Sequence, residues 1–168
     1  MPKIIANLEQ RLMEEAKRQI EEMGYSAVTI RSVAKGCGVG VGTVYNYFAS
    51  KDALIATYLL QDWIECVAEI NAVSEVSADA QPVARCIYDK LLSYAQRHEA
   101  IFRDAAAAAG FAGSFSNYHG LLRSQLAQPL RKFCRDDFSA EFIAESLLTW
   151  TLAGKSFAQI NGMIEKLF

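Results

Sequence analysis

From Gly36 to Gly42 the chain reads Gly-Cys-Gly-Val-Gly-Val-Gly, four glycines alternating with small residues, and Tyr45-Asn46-Tyr47-Phe48 follows almost at once. Glycine costs a helix interior roughly 1 kcal/mol relative to alanine, so any helix that meets this stretch is short or broken there. A dinucleotide-binding loop needs G-x-G-x-x-G between a strand and a helix. Counted from Gly36 and Gly38 the third position is Val41, and counted from Gly38 and Gly40 it is Thr43. No strand pattern precedes the glycines and no Walker lysine follows one, so the nucleotide-enzyme reading fails.

The surrounding periodicity is helical. Leu8, Leu12, Ala16 and Ile20 recur every four residues, giving a first helix with one apolar stripe and a charged back, ended by Gly24. Thr29 is the N-cap of a short second helix, with Ile30, Val33, Ala34 and Cys37 at i, i+3, i+4 and i+7 and a break at Gly38. A third, over residues 41–48, turns Val44 and Phe48 inward. Ser50 caps a long fourth helix reaching about Val73, with Asp52 in its first turn, and NAVSEVSADAQP reads as a linker. Asp79 and Pro82 mark another helix start, continued by Ile87, Leu91, Leu92 and Tyr94. Residues 99–112 read as helix, GFAGSFSN as a break, and residues 118–135 as a helix interrupted at Pro129. A last segment, capped by Ser139, runs to Phe168 as one helix or as two meeting near Gly154. No strand pattern or internal repeat is present. The 168 residues are 52% hydrophobic, enough for a sizeable core. The expected fold is all-α, with a three-helix domain over residues 1–51 and a helical domain over residues 52–168.

With Ile30, Val33, Ala34 and Cys37 packing the second helix and Val44 and Phe48 pinning the third, Val41, Gly42, Thr43, Asn46 and Tyr47 face outward, with Tyr45 beside them. Small residues let a backbone approach another surface closely, and hydroxyls and an amide can meet phosphates or base edges. This is helix-turn-helix geometry, with residues 41–48 as the helix that enters a major groove. That helix is too short to be stable alone, so its neighbours must present it. The net charge of −2 argues against a polyanionic partner, but its distribution does not. Residues 1–51 carry seven basic and five acidic side chains, whereas residues 52–168 carry ten and fourteen. No acid stands between Met23 and Lys51, the stretch that holds Arg31 and Lys35.

The segment VTIRSVAKGCGVGVGTVYNYFASKDAL resembles the signature of TetR-type transcriptional regulators: a threonine-headed helix, Ala-x-x-x-Gly-Val, then Gly-Thr-Val-Tyr-x-Tyr-Phe and Ser-Lys. The resemblance covers about residues 9–59, including Gly24-Tyr25. It implies that Thr29 and Arg31 approach the phosphate backbone, that Thr43, Tyr45 and Tyr47 bind phosphate, and that Lys51 adds charge at a helix N-terminus suited to phosphate. It implies that Val41, Gly42 and Asn46 read bases. Two departures stand out: the family often has serine or threonine where Gly40 stands and a polar residue where Val41 stands. Apolar Val41 can touch a thymine methyl but makes no hydrogen bond, which shifts readout toward DNA shape.

The remaining chain is rich in aromatic residues. The same resemblance implies that this part binds a small ligand, with Tyr58, Trp63, Tyr88, Phe102 and Tyr118 as pocket candidates, and dimerises through its last two helices. The final stretch, FIAESLLTWTLAGKSFAQINGMIEKLF, is apolar on more than one face and so calls for a partner; Leu148 and Phe157 are expected among its outward positions. A two-fold dimer would present two recognition helices to a palindromic duplex DNA site. His98 and His119 are isolated and no nucleophile–base pair is present, so neither a metal site, a cofactor nor catalysis is expected. Cys37, Cys66, Cys86 and Cys134 form no C-x-x-C pair and read as free thiols. No run reaches membrane-spanning length and the start turns acidic early, which together favour a cytoplasmic protein. The other reading of the same features is an all-α protein whose three-helix head binds another protein and which senses no ligand.

Overall fold

The structure is a computed structural model that describes residues 7–111 and 115–168, with side chains described outside 110–118 and 167. The described residues are helical and contain no strand. Helix α1 (Leu8–Met23) buries Leu8, Leu12, Ala16 and Ile20 on one face, as their spacing predicts, together with Met13 and Gln19. It stops at Gly24, whose φ of 82° and ψ of 159° belong to a region open essentially only to glycine. A short 3-10 turn (Tyr25–Ala27) leads to α2 (Ile30–Gly36), whose N-cap Thr29 forms a capping box with Ser32. The chain turns at Gly38, φ 68°, while the Val39 N–H reaches back to the Ala34 carbonyl at 3.0 Å.

Helix α3 (Val41–Tyr45) is five residues long, shorter than the expected 41–48. Its end tightens into three-residue bonds from Asn46 N–H to Thr43 and from Tyr47 N–H to Val44, at 3.3 and 3.0 Å, and Phe48 swings into the core. Ser50 caps α4 (Lys51–Val76), its hydroxyl accepting from Ala53 N–H at 3.0 Å. Helix α4 runs three residues past Val73, because Ser74 is buried there and donates to the Pro129 carbonyl at 2.7 Å. Tertiary contacts thus convert the first part of the expected linker into helix.

Helix α5 (Ala80–Arg97) begins after Asp79, which accepts from Gln81 N–H at 3.0 Å. The segment 99–112, expected as one helix, contains two: α6 (Glu99–Phe102) and α7 (Ala105–Phe111). Asp104 divides them by turning its carboxylate onto the N–H groups of Ala106 and Ala107, at 2.8 and 3.1 Å. Helix α8 (Phe115–Ala127) gives way at Pro129 to a 3-10 segment, Gln128–Phe133. Helix α9 (Asp137–Leu152) is capped by Asp136, not by Ser139: the Asp136 carboxylate accepts from Ser139 N–H at 2.7 Å. A break near Gly154 separates it from α10 (Phe157–Ile164), capped by Ser156 and Gln159, so the last segment is two helices.

The chain forms two compact units, Met1–Gln61 with His98–Ala112, and Asp62–Arg97 with Gly113–Phe168. The first centres on Leu12, Ala16, Val33, Val44, Leu54 and Ile55, and the second on Ile70, Ile87, Leu126, Leu130, Ile143 and Leu147. Helix α4 contributes to both. Leu148, expected to face outward, is buried in the second core, and Phe157 is half-buried against Tyr88. The outward apolar residues of α9 are Phe138, Phe142, Trp150 and Leu152, joined by Met163 of α10.

Candidate nucleic-acid interface

The expected interface residues lie in the first unit, on α2, on α3 with the turn that follows it, and at the first residue of α4. Val44 is fully buried and Phe48 nearly so, which fixes the C-terminal end of the short helix and the turn after it, while Tyr45 and Tyr47 remain 54% and 40% exposed. Asn46, at the C-cap, and Gly42 are also exposed, and a Cβ on Gly42 would meet nothing within 4 Å. Thr43 is half-buried. Val41 is half-buried as well and packs against the core, so only part of its side chain is offered to a groove.

Thr29 is exposed, with its hydroxyl oxygen accepting from Ser32 N–H at 3.0 Å. The hydroxyl proton therefore points away from that bond, and phosphate oxygen is a suitable acceptor for it. Arg31 is exposed on the first turn of the same helix. Lys51 is held more firmly than an ordinary surface lysine. Its Nζ donates to the Tyr25 carbonyl at 3.1 Å and lies 4.0 Å from the Tyr25 ring centroid. The Tyr25 hydroxyl in turn donates to Asp52, and burial, followed by that carboxylate, pushes its pKa up. Sequence reading missed Tyr25 and Asp52 as a support for Lys51. Only the adjacency Lys51-Asp52 hinted at it, since the tyrosine lies 26 residues away.

The five ligand candidates do not share one setting. In the first unit, buried Tyr58 has its hydroxyl 3.1 Å from His98 Nδ1, and Phe102 stands 6.1 Å from the same imidazole ring. In the second unit, Trp63 donates its indole N–H to Gln125 at 2.7 Å and meets Tyr94 edge-on at 5.5 Å. Tyr88 packs on Phe157 at 5.5 Å and donates to the Lys155 carbonyl at 3.2 Å, an anchor between α5 and the α9–α10 connection. The Tyr118 side chain lies outside the described residues. Among the described residues no group of three or more His, Cys, Asp or Glu is placed to hold a metal ion, and no helix is long and apolar enough to cross a membrane.

Two short helices joined by a glycine turn, with tyrosines and an amide exposed between two buried anchors at the end of the second, define the helix-turn-helix class of DNA-binding proteins. Residues 12–58, the helix-turn-helix part of the chain, match the family model for bacterial regulatory proteins of the tetR family. This is a family of regulators, not of enzymes. The chain is 35% identical over 61 residues to the HTH-type transcriptional regulator UidR of Escherichia coli K12, a match covering 36% of this chain and 31% of UidR. It is 32% identical over 93 residues to the HTH-type transcriptional repressor KstR of Rhodococcus jostii, covering 51% of this chain and 44% of KstR. These matches therefore span less than half the length of either relative. Among solved structures, a transcriptional regulator of Streptomyces coelicolor, SCO7518, superposes with a TM-score of 0.73 at 17% identity, covering 96% of this chain and 98% of that one. That likeness extends the shared fold over both units.

Proposed function

We propose that the chain is a transcriptional repressor that binds a palindromic DNA site as a homodimer and is released by a small apolar or aromatic ligand. The observation that carries the DNA-binding part is the exposure of Tyr45, Asn46 and Tyr47 at the end of a short helix, between buried Val44 and buried Phe48, in a stretch free of acids from Met23 to Lys51. In this reading Thr29, Arg31, Thr43, Tyr45, Tyr47 and Lys51 hold phosphates, and Val41, Gly42 and Asn46 face bases. Repression is the role in the name of KstR, and we carry it to this chain as part of the proposal.

A gel shift on the promoter region nearest the chain's own gene, repeated at raised salt, tests the core of this reading. Binding that falls steeply with salt is expected. No shift on that duplex and none on sonicated genomic DNA at low salt would refute it.

We place ligand response in the second unit, at Trp63, Tyr94 and Gln125, where aromatic faces and a polar pair lie together as they do in small-molecule sites. A ligand there weakens operator binding only as far as it prefers the arrangement that does not bind DNA. A coupling of about 1–3 kcal/mol would weaken binding roughly 5- to 150-fold, and operator DNA would weaken ligand binding by the same factor. Fluorescence of Trp63, isolated by Trp150→Phe, reads this directly. A hydrophobic compound library that neither changes that signal nor releases DNA would refute the ligand part and leave the DNA-binding part standing.

A further inference from the structure

We infer that Arg11, Glu15 and Gln19 of α1 form a polar clamp that sets the pose of the helix-turn-helix. They are positioning residues, and the inference rests on the DNA-binding reading above. The three side chains stand at i, i+4 and i+8, so they share one face of α1. They meet α2 in reverse order along its length. Gln19 reaches Ser32 in its first turn, Glu15 lies against Gly36 in its last, and Arg11 reaches the C-cap Cys37.

Every bonding group of the Gln19 side chain is used. Its amide donates to Glu15 Oε1 at 2.7 Å and to the Ser32 carbonyl at 3.1 Å, and its oxygen accepts from the Ser32 hydroxyl at 2.6 Å. Rotating the amide by half a turn would set oxygen against oxygen at both donor contacts, so the orientation is fixed. Gln19 is only 4% exposed, and a buried amide without these partners would be costly. Ser32 also completes the Thr29 capping box, which ties Gln19 to the phosphate-facing end of α2.

At the opposite end Arg11 donates to the Cys37 carbonyl at 3.2 Å, and the Cys37 thiol returns a bond to the Arg11 carbonyl at 3.4 Å. That carbonyl sits at the entrance to the turn through Gly38. Glu15 bridges the two ends. Arg18 grips both of its oxygens, at 2.6 and 2.9 Å, which keeps the carboxylate charged below the usual range and neutralises it beside a surface meant for phosphate. Glu15 also explains Gly36, where a Cβ would lie 2.0 Å from Glu15 Oε1. A helix of five residues cannot fix its own direction, so α3 inherits it from α2 and the turn, which this clamp holds at both ends.

The test compares full-length wild type with Gln19→Leu and Ser32→Ala, neither of which removes a charge. Titrations use a labelled duplex from the promoter of the chain's own gene and, in parallel, sonicated genomic DNA. Each variant should bind the duplex about tenfold more weakly, a modest net cost for the three hydrogen bonds that each side chain makes. The salt slope should be unchanged, because no phosphate contact is lost. Amides from Val33 to Val39 should exchange with solvent about tenfold faster, while those of α4 keep their rates. Wild-type affinity in a folded variant, or an altered salt slope, would overturn the clamp. If Gln19→Leu does not fold, Ser32→Ala decides alone. If wild type binds neither DNA, the DNA-binding reading fails, and the clamp is then judged by exchange: equal change throughout the first unit would overturn it as well.

Discussion

Lys51 shows how a side chain can be held in place in advance of the phosphate role proposed for it. Its Nζ leans on the Tyr25 ring and carbonyl, so a bound phosphate would need to order little more of it. Lys51→Ala should therefore change two measurements at once. Thermal denaturation should show a loss of about 0.5–1 kcal/mol, the size of a partly exposed cation–aromatic contact. The slope of log affinity against log salt should fall by roughly 0.9, one phosphate contact. Asn46→Ala should instead alter preference among operator variants more than affinity for random DNA; uniform weakening would move Asn46 to the phosphate group. Gly38 gives a third test at this scale. At φ 68° an alanine pays about 1–2 kcal/mol, so Gly38→Ala should lower the unfolding midpoint in urea and weaken DNA binding with it. The roles of Tyr45, Asn46 and Tyr47 as outward residues were legible from the buried spacing of Val44 and Phe48. Lys51's tether was not, because the partner that holds it is distant in sequence and contributes a backbone carbonyl and a ring face, neither of which leaves a pattern.

At the scale of elements, the α1–α2 pairing carries a pH signature. Arg18, and then Gln19, hold the Glu15 carboxyl below the ordinary carboxylate range, against the opposing effect of burial. A depressed folded pKa contributes stability above the unfolded value, about 4.3, and that contribution fades as pH falls through the folded value. The stability gap between wild type and Glu15→Gln, from urea unfolding at a series of pH values, should thus be widest near neutrality and close as pH falls below the ordinary carboxylate range. A gap independent of pH would detach Glu15 from this role. Element boundaries were readable where a local signal decides them, as with Thr29, Ser50, Asp79 and the break near Gly154. They moved where a tertiary contact decides them. Buried Ser74 extends α4, Asp104 splits the segment after His98, and Asp136 captures the Ser139 amide. The same limit hid the clamp. Arg11, Glu15 and Gln19 have visible helical spacing, but only the packed α2 shows what that face meets.

For the whole molecule, the exposed apolar residues of α9 and α10 replace Leu148 and Phe157 as the surface to test for self-association. Phe142→Glu combined with Trp150→Glu should convert the proposed dimer to a soluble monomer in light scattering, with little loss of helix by circular dichroism, since both side chains are about half exposed. A dimer retained in that variant would place the contact elsewhere. The dimer should set its two α3 helices roughly 34–36 Å apart, one turn of DNA. The aromatic excess of the second unit was evident in the sequence, yet how its rings pair was not, because Tyr88 and Phe157 look like Trp63 until their packing is known. The two units are also interleaved along the gene. The first is completed by residues 98–112, whose Ile101 and Ala107 enter its core and whose Asp104 accepts from Ser26 at 2.8 Å. A recombination event that joined the head of one such protein to the body of another at a single crossover would therefore import a head without its own α6 and α7. Functional chimaeras should need the receiving body to supply a matching 98–112 segment, which favours inheritance of the two units together.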